Sequence, residues 1–118
     1  MTTMDETLTA MMEEDRVLHE RNPRVHDAIW ALQSAAIDGD GAIDPKTRVL
    51  ISLAIAVSKQ DEGCIAVIAR DAAGRGVTVA EVADAVGVAI LMNGGPGHIW
   101  GGHALAVFED CVAAAASV

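Results

Sequence analysis

Cys64 is the residue of this chain with the most reactive chemistry in a favourable place. It falls near the start of an expected helix, about Glu62 to Ala73, and a helix N-terminus lowers a thiol's pKa and favours the thiolate. Asp61, three residues earlier, opposes that effect by like-charge repulsion. The same carboxylate suits an N-cap that accepts the backbone amide of Cys64, and this is the favoured role for Asp61. For Cys64 a reactive thiol and a small buried hydrophobe stand level. A lone thiol can still react with a peroxide to give a sulfenic acid, which another thiol must then resolve. Cys111 could serve only if the fold or a partner chain brings it close, and an inert cysteine on the last helix is the simpler reading.

His98 and His103 flank Trp100 in the run Gly97-His98-Ile99-Trp100-Gly101-Gly102-His103. Five residues on a helix span about 140° of rotation, so the two rings do not converge as an i,i+4 pair does. Structural or surface histidines are the favoured reading. An acid–base role and a metal site built from Cys64, Asp61 and one histidine stand behind it. The ligand types suit zinc but no paired spacing supports it, so neither a metal nor a cofactor is expected. His19 and His26 lie on amphipathic helices and read as ordinary surface positions. Gly94-Gly95-Pro96-Gly97 before a helix invites a phosphate-loop reading. It lacks the preceding strand and the Lys and Ser/Thr of such a loop, and its glycines better suit a sharp helix connection.

The elements that must position these residues are helices. An apolar stripe of Met4, Leu8, Met11, Met12 and Leu18 predicts helix one over about Thr3 to Glu20. Asn22-Pro23 and Asp44-Pro45 are start signals, a capping side chain followed by proline at the first helical position. The second helix carries Val25, Ile29, Trp30, Leu32 and Ile37. The third, about Pro45 to Ser58, is apolar nearly all round from Val49 to Val57, so it is central or buried against another copy. The fourth stops at Gly74-Arg75-Gly76. Thr78-Val79-Ala80-Glu81 fits a capping box that opens a fifth helix to about Met92, and a sixth runs to about Ala115. Strand signals are nearly absent. The fold class is therefore all-α, six helices in a single domain over 1–118, assembled as a homo-oligomer.

Composition narrows the function. The 118 residues suit one domain. The net charge of −9, from 17 acidic and 8 basic residues, disfavours nucleic acid and anionic membranes as partners. No stretch approaches the roughly 20 apolar residues of a membrane span. The N-terminus lacks the basic and apolar regions of a secretory signal, so a cytoplasmic protein is expected. Two cysteines are too few for a disulfide framework.

The stretch 46–108 resembles the carboxymuconolactone decarboxylase family, which includes the alkylhydroperoxidase D-like proteins. The pieces that carry the resemblance are Lys46-Thr47-Arg48, the run from Leu50 to Val57, Gly63-Cys64-Ile65-Ala66, and Gly76-Val77-Thr78 with Val79-Ala80-Glu81. Ala85 to Pro96 and His103-Ala104-Leu105 complete them. Redox members are similar in having a Glu, a Cys-x-x-Cys pair and a His four residues after the second Cys. There the thiols cycle between dithiol and disulfide while Glu and His relay protons. On that pattern this chain keeps the second cysteine as Cys64, but holds Asp61 at the first, Ile68 at the His and Val49 at the Glu. A paired-cysteine cycle at one site is thereby excluded, and the decarboxylase branch, which the resemblance also ties to the His position, loses its group. A buried Glu or His without its partner is costly or shifts its pKa, so replacing both by hydrocarbon is coherent.

The resemblance implies a thiol-dependent peroxidase or antioxidant activity working through Cys64 alone, with Asp61, His98 and His103 as the remaining candidate catalytic groups. It places the last helix near the cysteine site, where one histidine could restore an acid–base partner. Two other functions compete. One is a cofactor-free lyase or isomerase acting on a small carboxylated or carbonyl compound through His98 or His103. The other is a non-catalytic binding or assembly module. The resemblance further implies a trimer or hexamer, with any pocket near a subunit boundary.

Overall fold

A computed structural model describes residues 4–116 as six helices. These are α1 (Met4–Arg21), α2 (Pro23–Asp38), α3 (Pro45–Ser58), α4 (Glu62–Gly74), α5 (Val79–Asn93) and α6 (Gly95–Ala116). No strand occurs among the described residues. The expected all-α, six-helix fold is what forms. The expected start of helix one at Thr3 lies outside the described residues.

Local chemistry sets the boundaries. The side chains of Asn22 and Asp44 accept the backbone N–H groups of Val25 and Thr47, each with proline next in the chain. Thr78 accepts the Glu81 N–H at 3.1 Å, and the Glu81 carboxylate accepts the Thr78 N–H at 2.9 Å. This reciprocal box satisfies two donors that a helix start otherwise leaves open. Gly94 ends α5 with φ of 66°, a left-handed conformation that costs a side-chain-bearing residue but not glycine. The chain therefore reverses into α6 within one residue, earlier than the tetrapeptide Gly94–Gly97 suggested.

The core is α3, α4, α5 and α6. Leu53, Val57, Ile65, Val82 and Phe108 are fully or almost fully buried at its centre. Small residues let the helices approach. A Cβ on Gly101 would stand 2.7 Å from Val86 Cγ1, so α6 can lie this near α5 only with glycine there. The apolar α3 is central, as its pattern implied: Val49, Leu53, Ala56 and Val57 are buried. Its opposite edge, Ile51 and Ile55, remains exposed.

The antiparallel pair α1–α2 lies against this bundle and has no buried residue of its own. It packs through Met4 and Ile37, and polar ties hold it. Arg75 at the end of α4 grips Asp38 at the end of α2, with N–O distances of 2.6 and 3.1 Å. Arg48 on α3 donates to the carbonyls of Ile37 and Gly39 at 3.1 and 2.6 Å. These ties leave a cavity between the pair and the bundle.

Candidate functional site

The cavity, about 490 Å³, lies between α1, α2, α3 and α4 and opens to solvent on one side, where Met12, Ile29 and Trp30 are exposed. Its wall is chiefly hydrocarbon and thioether, with Met11, Leu18, Ile29, Trp30 and Ile68 among the lining residues. Cys64 opens onto it from the first turn of α4. Of the positions where the resemblance would place a proton relay, Ile68 faces this space and Val49 is buried in the core. The relay region is hydrocarbon.

Asp61 is the N-cap of α4, its carboxylate accepting the Cys64 N–H at 3.0 Å. Those backbone bonds hold the Asp61 pKa below the usual carboxylate range. Cys64 is exposed and free. Partial burial pushes its thiol pKa up, and the neighbouring Asp61 carboxylate adds to the rise. Both act against the thiolate that a helix start favours. Cys111 is a buried free thiol on α6, with Sγ 3.0 Å from Met4 Sδ. It does not line the cavity.

The structure does not gather the four expected residues into one site. Asp61 and Cys64 are adjacent through the cap. His98 is exposed in the first turn of α6. His103 is mostly buried, with Nε2 3.7 Å from a Glu62 carboxylate oxygen and its ring edge-on to Trp100 at 5.7 Å. Neither histidine lines the cavity.

The residue that sequence reasoning missed is His26. Read as an ordinary surface position, its side chain is only 12% exposed, and it lines the cavity with Asp15 and Trp30. Its Nε2 lies 3.0 Å from both carboxylate oxygens of Asp15. That bond is the main reason its pKa rises above the ordinary histidine value. The indole N–H of Trp30 points at the same nitrogen from 3.0 Å. When Nε2 donates its proton to Asp15, that indole hydrogen sits beside the bond rather than on a free lone pair. The other nitrogen, Nδ1, is shielded from solvent with no hydrogen-bond partner. Neither nitrogen is presented to the cavity as a free acid or base. Part of the signal was legible: His26 and Trp30 are an i,i+4 pair on the stripe that carries Ile29 and Leu18 faces from the other helix. What hid the rest is that Asp15 reaches His26 across a helical hairpin, a contact no periodicity reports.

Comparison with known proteins gives a consistent picture. A model described as the carboxymuconolactone decarboxylase family matches residues 23–110. An uncharacterized protein of Cupriavidus necator is 28% identical over 108 residues, covering 92% of this chain and 95% of its own length. An uncharacterized protein from the cox locus of Paracoccus denitrificans is 34% identical over 86 residues, covering 73% and 77%. The crystal structure of an apo carboxymuconolactone decarboxylase family protein from Legionella pneumophila superposes with a TM-score of 0.88 at 29% identity. That superposition covers 92% of this chain and 96% of the other.

Proposed function

The chain belongs to the carboxymuconolactone decarboxylase family, and from that premise we propose that it binds a small, mainly apolar organic molecule in the α1–α4 cavity without a paired-thiol redox cycle. One observation carries this reading: a cavity of about 490 Å³, within the range of small-ligand sites, whose relay positions are filled by hydrocarbon. Two carboxylates in the wall are already engaged: Asp15 holds His26, and Asp71 holds Arg75 at 3.0 Å. Affinity comes chiefly from apolar burial, with Arg70, Gln33, Ser52 and the Cys64 thiol at the wall to orient a carbonyl, carboxylate or hydroxyl group.

Trp30 in the wall supplies the test. Titration of a Trp100→Phe variant with octanoate, 1-naphthol and 4-phenyl-2-butanone should change Trp30 emission, with at least one Kd below roughly 1 mM. Ile68→Phe, which narrows the cavity without adding an indole, should abolish the response. If no probe alters the emission, or if the narrowed variant binds as well as its parent, the reading fails.

A second reading keeps thiol chemistry, because Cys64 is the accessible thiol and opens onto the same space. Its thiolate would attack the terminal oxygen of a hydroperoxide, giving a Cys64 sulfenic acid and an alcohol. An external thiol would then displace water from the sulfenic sulfur. The raised thiol pKa weighs against speed. Mass spectrometry after a peroxide pulse decides: Cys64 oxidation no faster than that of a free thiol ends this reading.

Self-association belongs to the same proposal. Ile55, Val88, Leu91, Met92 and Ile99 are more than half exposed, and α5 turns Ala83, Gly87, Val88 and Leu91 to the same exposed side. Burying such faces against further copies, as a trimer or hexamer, removes apolar area from water. Light scattering on Leu91→Lys should give a smaller species than the parent chain; a monomeric parent sinks the idea.

A further inference from the structure

We propose that His19, His26 and Asp27 form a zinc site on the solvent side of the α1–α2 hairpin, with Asp15 orienting His26 from behind. The proposal goes beyond the cavity reading and does not depend on it.

The three ligand atoms all lie within 4.8 Å of one another. His26 Nδ1 is 3.6 Å from Asp27 Oδ1, and His19 Nε2 is 3.9 Å from the same oxygen. Ligand atoms on tetrahedral zinc, with bonds of roughly 2.0–2.1 Å, stand about 3.3 Å apart. The cluster is thus slightly wider than a filled site, and the freedom to close it is present. His19 and Asp27 are 57% and 72% exposed, so both side chains can swing. The two imidazoles are already close, with ring centroids 4.7 Å apart and planes tilted by 38°. A water completes the fourth position.

His26 is the fixed anchor, and its surroundings point to a ligand. Nδ1 is shielded from solvent and makes no hydrogen bond, an arrangement that leaves a buried polar atom uncompensated. Nε2 is held by the Asp15 carboxylate at 3.0 Å. A carboxylate on the far nitrogen is the usual outer support of a metal-bound histidine: it places the proton on that nitrogen and directs the lone pair of the other at the ion. Two imidazoles and a carboxylate suit zinc over magnesium or calcium.

A zinc ion here would join α1, which supplies His19, to α2, which supplies His26 and Asp27. These two helices have no fully buried residue, so such a bond would brace the roof of the cavity.

Calorimetric titration of the full chain with zinc chloride at pH 7.5 should show one ion per chain with a Kd of roughly 1 µM. It should also raise Tm by roughly 5 °C at saturation. His26→Ala should abolish binding. Because that change also removes the tie to Asp15 and can loosen the hairpin, the exposed variants His19→Ala and Asp27→Asn carry the test independently, each weakening binding by about tenfold or more. Asp15→Asn should weaken it about tenfold, because the carboxylate that orients His26 is then lost. Cys64→Ala, His98→Ala and His103→Ala should bind as the parent does. Zinc binding that disappears with any of these three, that survives unchanged in His19→Ala, or that is weaker than millimolar in the parent overturns the proposal.

Discussion

The α1–α2 hairpin and the α3–α6 bundle are built on different physics. In the bundle, each helix brings small and branched hydrocarbons to a shared centre, and Leu53, Ile65, Val82 and Phe108 lose all contact with solvent. In the hairpin no side chain is buried, and charge pairs hold the two helices to each other and to the rest. Asp15–His26 joins α1 to α2, Asp38–Arg75 joins α2 to α4, and Arg48 reaches the carbonyls that close α2. Apolar burial is non-directional and favours whatever packs most tightly. Polar latches fix a geometry and tolerate a gap. The cavity lies where the two regimes meet, since the bundle supplies a finished hydrocarbon surface and the hairpin stands over it on a few discrete ties.

The contrast predicts unequal responses to substitution. Phe108→Ala should cost about 3–5 kcal/mol, the usual range for emptying an aromatic site in a core, and lower stability for all six helices together in a denaturant titration. Were the hairpin to persist while the bundle melts, the division would be wrong.

Asp61→Ala tests the seam. It removes the cap of α4 and should cost about 1 kcal/mol. It also removes one of the two causes that raise the Cys64 pKa, so the thiol should titrate lower and react faster with iodoacetamide at neutral pH. An unchanged alkylation rate would mean that Asp61 does not govern the thiol.

Arg75→Ala should act on the hairpin almost alone. Exposed or partly exposed ion pairs contribute little to global stability, but this one is the tie between α2 and α4. Amide exchange in α2 should rise by roughly tenfold while α5 and α6 stay protected. Uniform acceleration across all helices would remove the distinction between the two regions.

The smallest expected effect is on pH. The folded-state pKa of His26 is raised, chiefly by its bond to Asp15. Its contribution is therefore fully present below the unfolded value, about 6.5, and is lost as pH climbs through the higher folded value. The capping and latching carboxylates Asp38, Asp44, Asp61 and Glu81 have lowered pKa values. Their contributions are present above about 4 and are lost as pH falls through the folded values. Melting curves should lose the His26 part as pH rises above about 6.5, and His26→Gln should flatten that limb. A flat limb in the parent chain would show that the Asp15 tie does not stabilise the fold.

Much of the helical fold was legible along the chain because its determinants are local. Asn22-Pro23, Asp44-Pro45 and the Thr78–Glu81 box announce helix starts through bonds made within three residues. The hydrocarbon run of α3 announces its central place. The resemblance carried by Gly63-Cys64 and by the stretch from Ala85 to Pro96 is matched by the family found over residues 23–110. The cavity was less legible. Its cysteine and the hydrocarbon at Val49 and Ile68 were visible, but the histidines singled out, His98 and His103, lie away from it. His26, passed over as surface, stands in its wall.

What the chain's order of residues determined alone is therefore the helical architecture, the caps and the loss of a second thiol beside Cys64, because each depends on neighbours within a turn or on which atoms are present at all. What only the tertiary structure decided is which polar groups meet. Asp15 and His26, Asp38 and Arg75, and Glu62 and His103 come from different helices. The angle at which two helices pack, not the identity of either residue, sets whether such groups meet or remain in water.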